Sequence, residues 1–592
     1  MKLPAGALIH SAFALLIFFP AVRAQDNDVL LRAMQDELDR ARSLKIVNLD
    51  PPYYIEYRVE DASVLEVNAT LGGLVNSSQT AVRIPTVRIR VGDYKFDNTN
   101  HVYSDFYSGT RYDSDRLPLE NNYGALRQHL WLATDRAYKA AEEGIARKRS
   151  ALKNINLPEQ LPDFSKAEPV HNILPIRRTA VNEATWKNRT VRLSEIFGAY
   201  SEILASSVEF ESIQSSDYMI TSEGTVLRYP ENLAYIRVRA YAQAPDGTPI
   251  RDAVVFQALD ANALPPDADL QRGIKELAEH VTALTHAPRG ESYDGPVLFE
   301  ASAAAQLFGQ LLGDNLKVTR KPIGEPGRPL PYSASELENK IGSRILPEWM
   351  DVVDDPTQTE WRGHTLFGSY QFDLEGVAPQ PLSLVEKGVL KTLLMTRTPV
   401  SKDLAASNGR ARMPGAFGER SPGFGNLFVR AQKTVPPADL KKQLIDMCKQ
   451  QNKPFGLLVR KLDYPSSAAI DELRRSTAAM SQSGGGTRPV SLPVLVYRVF
   501  PDGKEVLVRG VRFRGLSTRS FRDILAASDE SYVHDFMDAP VLFALMGAGG
   551  FVTNASVIAP SILFEELELE PNEQEVPKPP IVPPPALTSA SR

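Results

Sequence analysis

An α+β fold is predicted by three features of the sequence. Long stretches alternate apolar and polar residues one by one, helical-period stretches bracket them, and the C-terminal half is cut by glycine and proline into short extended runs. Strands that come in blocks, rather than singly between helices, favour segregated α+β layers over a doubly wound sheet. The 592 residues exceed one ordinary core, so two to four domains are expected. With 43% apolar and 23% charged residues and a net charge of −5, the composition is that of a globular protein, without the basic excess of a general nucleic-acid binder.

The first segment, MKLPAGALIHSAFALLIFFPAVRA, has a basic Lys2, an apolar run from Ala5 to Pro20 and small residues at Val22 and Ala24. That layout predicts a secretory signal, residues 1–24, cleaved after Ala24, and a secreted or periplasmic protein. The run is short for a membrane span of about 20 residues. No second run is long enough to cross a bilayer, so no membrane association is expected. Cys448 is the only cysteine, which excludes an internal disulfide.

A first module is expected over 25–160. Val29, Leu30, Met34, Leu38 and Ala41 fall on one helical face, 52–114 alternates as an antiparallel meander broken at Gly72-Gly73 and Gly92-Asp93, and 125–154 reads as a long helix. LPEQLPDFSKAEPV reads as a linker. A second module, 161–290, repeats the order: a helix over 190–204, strands with Pro245-Asp246-Gly247 turning one hairpin, and an amphipathic helix over 267–288. A third, 291–570, is expected to be mostly β. Its hairpins fall at 374–376, 386–388 and 501–503, and a helix at 300–312 packs on it. A proline-rich tail, 571–592, is expected to be extended and disordered.

The segments VLFEASAAAQLFGQLL, RILPEWMDVVDDPT, FGSYQFDLEGVAPQPLSLVEKGVLKTLLMTRTPV, SNGRAR and GNLFV, in this order over 295–429, resemble the TldD/PmbA family. The resemblance implies an α/β N-terminal half, a β-rich C-terminal half, and subunits that pair as dimers. Active members are zinc metallopeptidases acting on peptides, with His-Glu-x-x-x-His on a helix and a cysteine from a later strand. Two imidazoles and a thiolate hold zinc with one position open, and the glutamate takes a proton from zinc-bound water. Here Glu300 matches the general base, while Phe299 and Ala304 stand at the histidine positions and Val459 near the cysteine position. The resemblance is therefore to the PmbA (TldE-like) side of the family, whose members pair with a zinc-bearing partner. It implies no cofactor for this chain and no catalysis by it alone, with two partner arrangements open: a heteromer with a zinc-bearing paralogue or a homodimer, either one meeting a peptide substrate. An active metallopeptidase with a non-standard site and a stand-alone peptide-binding scaffold remain the alternatives.

Other candidates are weaker. Glu300 near a helix start also suits the helix dipole. Ser302 has no G-x-S-x-G around it. His280 and His286 share a helix but lie more than about 100° apart around it. Cys448 has apolar neighbours Leu444, Ile445 and Met447, which favours a buried thiol. Asp351, Asp354 and Asp355 do not have EF-hand spacing. SQSGGGTRP, 481–489, lacks the Lys-Ser/Thr ending of a phosphate loop. In the Gly/Pro/Arg-rich stretch 407–429, Arg410, Arg412, Arg420 and Asn426 are candidates for a peptide or dimer contact.

Overall fold

The computed structural model describes residues 28–46, 49–102, 116–153, 160–324, 332, 334–414, 419–463, 490–538 and 553–572. The predicted signal segment, nearly all of the proline-rich tail and the 481–489 stretch lie outside them.

Helix α1 (Val29–Arg42) is capped by Asp28, whose carboxylate accepts the Leu31 N–H at 3.0 Å. Strands β1 (Pro52–Thr70) and β2 (Gly73–Val91) form one long hairpin turned at Leu71-Gly72, where Gly72 takes φ +80°. Helix α2 (Tyr123–Leu152) follows. Short β3 (His171–Ile173) and helix α3 (Glu183–Ser194) precede β4 (Ile203–Thr221), β5 (Val226–Gln243), β6 (Pro249–Ala258) and helix α4 (Asp267–His286). The helix expected over 190–204 begins earlier and ends earlier. Asn182 caps it through the Thr185 N–H, and a 3-10 turn over Glu195–Ala199 closes it before β4.

The two expected helix–sheet–helix modules share one sheet. Its order is β2-β1-β4-β5-β3, with β6 also on β5, and β1 pairs with β4 from Glu56↔Thr221 to Ala69↔Val208. Nor is the stretch after α2 a free linker. Asp163 is buried and takes the Lys148 Nζ at 2.5 Å, and Phe164 packs edge-on to Tyr54 at 5.0 Å. Alternation fixes the two faces of the sheet. On β1, Ile55, Tyr57 and Val59 point to α1 and α2 in one apolar cluster; Tyr54, Glu56, Arg58 and Glu60 point the other way.

The C-terminal part is built on an eleven-stranded sheet. Strand β7 (Tyr293–Phe299) runs into α5 (Ser302–Leu307), a π-helical stretch Phe308–Gly313 and α6 (Asp314–Leu316). Then come β8 (Met350–Asp354), the small hairpin β9 (Glu360–Trp361) and β10 (His364–Thr365), β11 (Leu382–Glu386) and β12 (Val389–Leu390). The ribbon β13 (Ala411–Pro414) and β14 (Arg420–Pro422) precedes β15 (Asn426–Ala431), helix α7 (Pro437–Gln450) and β16 (Gly456–Leu462). Strands β17 (Pro493–Val499), β18 (Glu505–Val508), β19 (Val511–Arg514), β20 (Ile524–Asp538) and β21 (Thr553–Pro571) complete it. The hairpins expected at 386–388 and 501–503 form. The one expected at 374–376 does not: Asp373 Oδ1 accepts the N–H groups of Glu375 and Val377, making a tight turn with no strand on either side.

Charged pairs join the halves. Arg90 meets Glu419 at 2.9 Å, Arg420 meets Glu56 at 3.3 Å, Arg397 meets Glu223 at 2.7 Å and Lys461 meets Asp252 at 2.6 Å. Among the described residues no helix is long and apolar enough to cross a membrane.

Candidate functional site

The turn between β7 and α5 carries Glu300, the residue that matches the family's general base. β7 lies inside the sheet with β16 parallel on one side and β21 antiparallel on the other, and Val459 and Ile562 are the register partners of Phe299. The Glu300 N–H continues the ladder to the Val459 carbonyl at 3.0 Å. Ala301 then takes φ +48°, ψ −119°, a conformation that disfavours a residue with a Cβ, and donates its N–H to Ser561 Oγ at 2.9 Å. This bend reverses the chain from strand to helix.

The helix beyond is core. Ala303, Ala304, Leu307 and Phe308 are buried, and its two glutamines serve strand ends: Gln306 Oε1 accepts the Leu462 N–H at 2.9 Å and Gln310 Oε1 accepts the Ser491 N–H at 2.8 Å. In the π-helical stretch Gly313 lies against the Phe424 ring, where an added Cβ would stand 2.4 Å from a ring carbon.

Three positions singled out in the sequence converge here. Phe299 and Val459 are neighbours across β7 and β16, and Ala304 lies on the following helix; all three are 0% exposed. The Phe299 ring lies 5.7 Å from Phe513 and 5.5 Å from Phe564, and Phe521 stacks on Phe308 at 5.0 Å. None of the three side chains carries a nitrogen, oxygen or sulfur atom, so this set does not fit zinc. Glu300 faces outward, and its carboxylate is held by Arg460 Nε at 2.7 Å. Arg460 also meets Glu505 at 2.9 Å and lies 4.7 Å over Tyr497, and Glu505 takes Lys441 at 2.6 Å. Ser302 Oγ reaches only the Arg460 carbonyl, at 3.4 Å. Cys448 is buried on α7, and burial pushes its thiol up to about 11, the direction of an inert group.

The candidates in the 407–429 stretch separate. Arg410 is 1% exposed and internal: Nε binds Asp354 Oδ2 at 2.9 Å, and Nη2 binds the Asp354 and Gln380 carbonyls at 3.0 and 2.6 Å. Nη1 binds the Asn408 carbonyl, so four of its five N–H groups serve the fold and the side chain is not a surface contact for a peptide or a second subunit. Asn426 is likewise internal, its Nδ2 pinning the 355–358 turn through the Asp355 and Gln358 carbonyls at 3.1 and 2.8 Å. Arg412 and Arg420, by contrast, line a cleft between the two halves. The three aspartates of WMDVVDDPT diverge: Asp354 binds Arg410, Asp351 accepts the Lys387 N–H and Asp355 caps Thr357. The histidines are also dispersed. His101 is buried and His534 partly so, and desolvation pushes each down to about 4, while half-exposed His364 pairs with Asp535 at 2.5 Å.

Sequence reasoning missed this cleft. Its floor is Arg58, Glu60, Asp217 and Glu231 on three strands, brought together only by the β1–β4–β5 register. The signal was present as charged residues at alternate positions in otherwise apolar strands.

Residues 292–470 match the family model of the PmbA/TldA metallopeptidase C-terminal domain. This part of the chain is a C-terminal domain of the TldD/PmbA type. A metalloprotease of Methanothermobacter thermautotrophicus is 26% identical over 246 residues, 40% of this chain and 47% of that protein, so the match spans about half the relative's length. One from Methanocaldococcus jannaschii is 35% identical over 81 residues, 14% of this chain and 17% of that one. The fold is shared with TldE from Thermococcus kodakarensis, at TM-score 0.53 and 14% identity over 91% of this chain and 99% of that one. It is shared too with a protein of Thermotoga maritima described as a modulator of a DNA gyrase, at TM-score 0.55 and 14% identity over 90% and 100%. The two-part α+β architecture of the TldD/PmbA proteins is thus that of this chain.

Proposed function

We propose that this protein is an exported TldD/PmbA-family subunit whose zinc ligands have been replaced, and that it serves as the non-catalytic partner of a zinc-bearing peptidase acting on peptides. The observation that carries the reading is the set Phe299, Ala304 and Val459: three hydrocarbon side chains buried in one apolar cluster at the strand–helix turn, with Phe513 and Phe564 packed on Phe299. A carboxylate activates water for amide hydrolysis at neutral pH when a metal lowers the pKa of that water. Here Glu300 is instead neutralised by Arg460. The layout of residues 1–24 supports export.

Affinity purification of the full chain from its native host, followed by peptide-cleavage assays on the isolated chain and on what co-purifies, tests this. The reading expects no cleavage by the isolated chain and chelator-sensitive cleavage once a zinc-bearing relative is present. Recovery of the chain as a homodimer alone would transfer support to the stand-alone peptide-binding alternative. Chelator-sensitive cleavage by the isolated chain would refute the partner reading.

A further inference from the structure

The cleft between the N-terminal sheet and the C-terminal half has a volume of about 1650 Å³. Its floor is the sheet face turned away from the helices, and strand register sets its chemistry. Glu60 on β1 stands opposite Asp217 on β4, Asp217 stands opposite Tyr229 on β5, and Glu231 follows two residues along β5. Ile84 on β2 stands opposite Glu60, and past this zone the floor turns apolar with Val64, Ile213 and Leu233. The opposite wall carries Tyr370, Arg412, Arg420 and Thr553.

Among the described residues, hydrogen-bonding capacity on these walls exceeds what the fold uses. Arg420 gives Nη2 to Glu56 at 3.3 Å, yet its Nε has no acceptor. Arg412 gives Nη2 to the Asn554 carbonyl at 3.2 Å and lies 3.9 Å over the Tyr370 ring, and its Nε is also unmatched. Arg58 Nη1 and the hydroxyl of Thr553, a residue only 3% exposed, complete four unmatched donors. Two acceptors, Asn232 Oδ1 and Asn554 Oδ1, line the same cleft without donors. A buried polar group without a partner costs about 1–3 kcal/mol, so a concentration of them along one cleft points to a ligand with both acceptors and donors.

The carboxyl groups on the floor do not cancel the arginines. Burial, and then the adjoining Glu231 carboxylate, push Asp217 well above its ordinary range against the pull of Arg58. Burial also pushes Glu231 up, but its hydrogen bond with Asp217 and the charges of Arg412 and Arg58 outweigh this and hold it low. The two carboxyl groups are thus pushed in opposite directions, which favours their sharing a proton over carrying two full charges. The arginine end favours an anion, and the shelf beside it favours hydrocarbon.

We propose that this cleft binds the C-terminal end of a short apolar peptide, its free carboxylate held by Arg58, Arg412 and Arg420 and its side chains lying on Ile84, Ile213 and Leu233. The unmatched asparagine oxygens and Glu231 take main-chain N–H groups, which distinguishes a peptide from a fatty acid. This rests on the reading that the chain handles peptides, and it names the site and the end of the peptide that is held.

The test is calorimetric titration of the isolated full chain at pH 7 with acetyl-Ala-Val-Leu-Val, once as the free acid and once as the C-terminal amide. The free acid is expected to bind at least ten-fold more tightly. Arg412→Gln should bring the acid to the affinity of the amide. Ile84→Trp, a change at a position 38% exposed on β2, should abolish binding of both without unfolding the chain. The acid–amide comparison needs no variant, so it decides the matter even where Arg412→Gln does not fold. Equal affinity of acid and amide, no binding of either, or unimpaired binding by Ile84→Trp would overturn the proposal. None of these outcomes depends on a zinc-bearing partner. Conversely, zinc in the isolated chain would end the partner reading and leave this result standing.

Discussion

Around Phe299 and along the interdomain cleft, the same device of strand alternation gives opposite results. At the end of β7 every side chain that turns inward is hydrocarbon, the neighbours are aromatic, and the buried glutamines of the helix are matched to backbone donors. On the face of β1, β4 and β5 that looks at the C-terminal half, inward positions are Arg58, Glu60, Asp217 and Glu231, and several polar atoms beside them lack partners among the described residues. The position of the family's chemistry is the fully satisfied one. The region with residual capacity to interact lies elsewhere, where two domains meet.

The sharpest way to break this contrast is to put a polar group at the first position. Phe299→His buries an imidazole between Phe513, Phe564 and Ile562 and removes ring contacts. Urea unfolding should show a loss of about 3–5 kcal/mol. A loss below about 1 kcal/mol would mean that the turn is open to water and the contrast false.

A comparable loss is expected where charge is structural. Arg410→Met leaves Asp354 buried without its cation and should destabilise by about 3–5 kcal/mol. A near-neutral effect would return Arg410 to the candidates for ligand contact.

A smaller effect sharpens the electrostatic side. Burial and then the Asp373 carboxylate push Glu375 up to about 7 in the native protein. The native state therefore holds a proton that the unfolded chain releases near its ordinary pKa. Stability contributed by the neutral acid is present at low pH and is lost as pH rises from about 4.5 to about 7, by up to about 3 kcal/mol. Glu375→Gln should flatten that part of the stability–pH curve. An unchanged slope would assign the dependence to other groups.

The smallest effect concerns the bend itself. Ala301→Gly removes a Cβ from a φ of +48° and should stabilise by about 1 kcal/mol, read as a higher urea midpoint. Destabilisation would show that the Cβ contributes packing worth more than the strain.

Much of the fold was legible because its signals are local. Alternation in 52–91, the Gly72 turn, the Pro245-Asp246-Gly247 hairpin and the period of α4 all lie within single windows of sequence. The helix at 190–204 was displaced because its start depends on the Asn182 side chain, a cap with no hydrophobic marker. The turn at 374–376 was mistaken for a hairpin because glycine marks both, and only the Asp373 carboxylate distinguishes them. The shared sheet was not legible at all. Pairing of β1 with β4 joins residues more than a hundred positions apart, and no periodicity encodes the partner of a strand. The same non-local register hid the cleft, and it also sent Arg410 and Asn426 inward while Arg412 and Arg420 reached the cleft wall. The family resemblance set Val459 near the cysteine position, and the β7–β16 ladder places it beside Phe299.

The most direct measurement is the zinc content of the isolated chain, residues 25–592, by mass spectrometry of the metal after dialysis against micromolar zinc. The proposed replacement of the ligands by Phe299, Ala304 and Val459 predicts a stoichiometry near zero. One zinc per chain, removed by chelator and restored on adding the metal back, would contradict it and require ligands from elsewhere in the molecule.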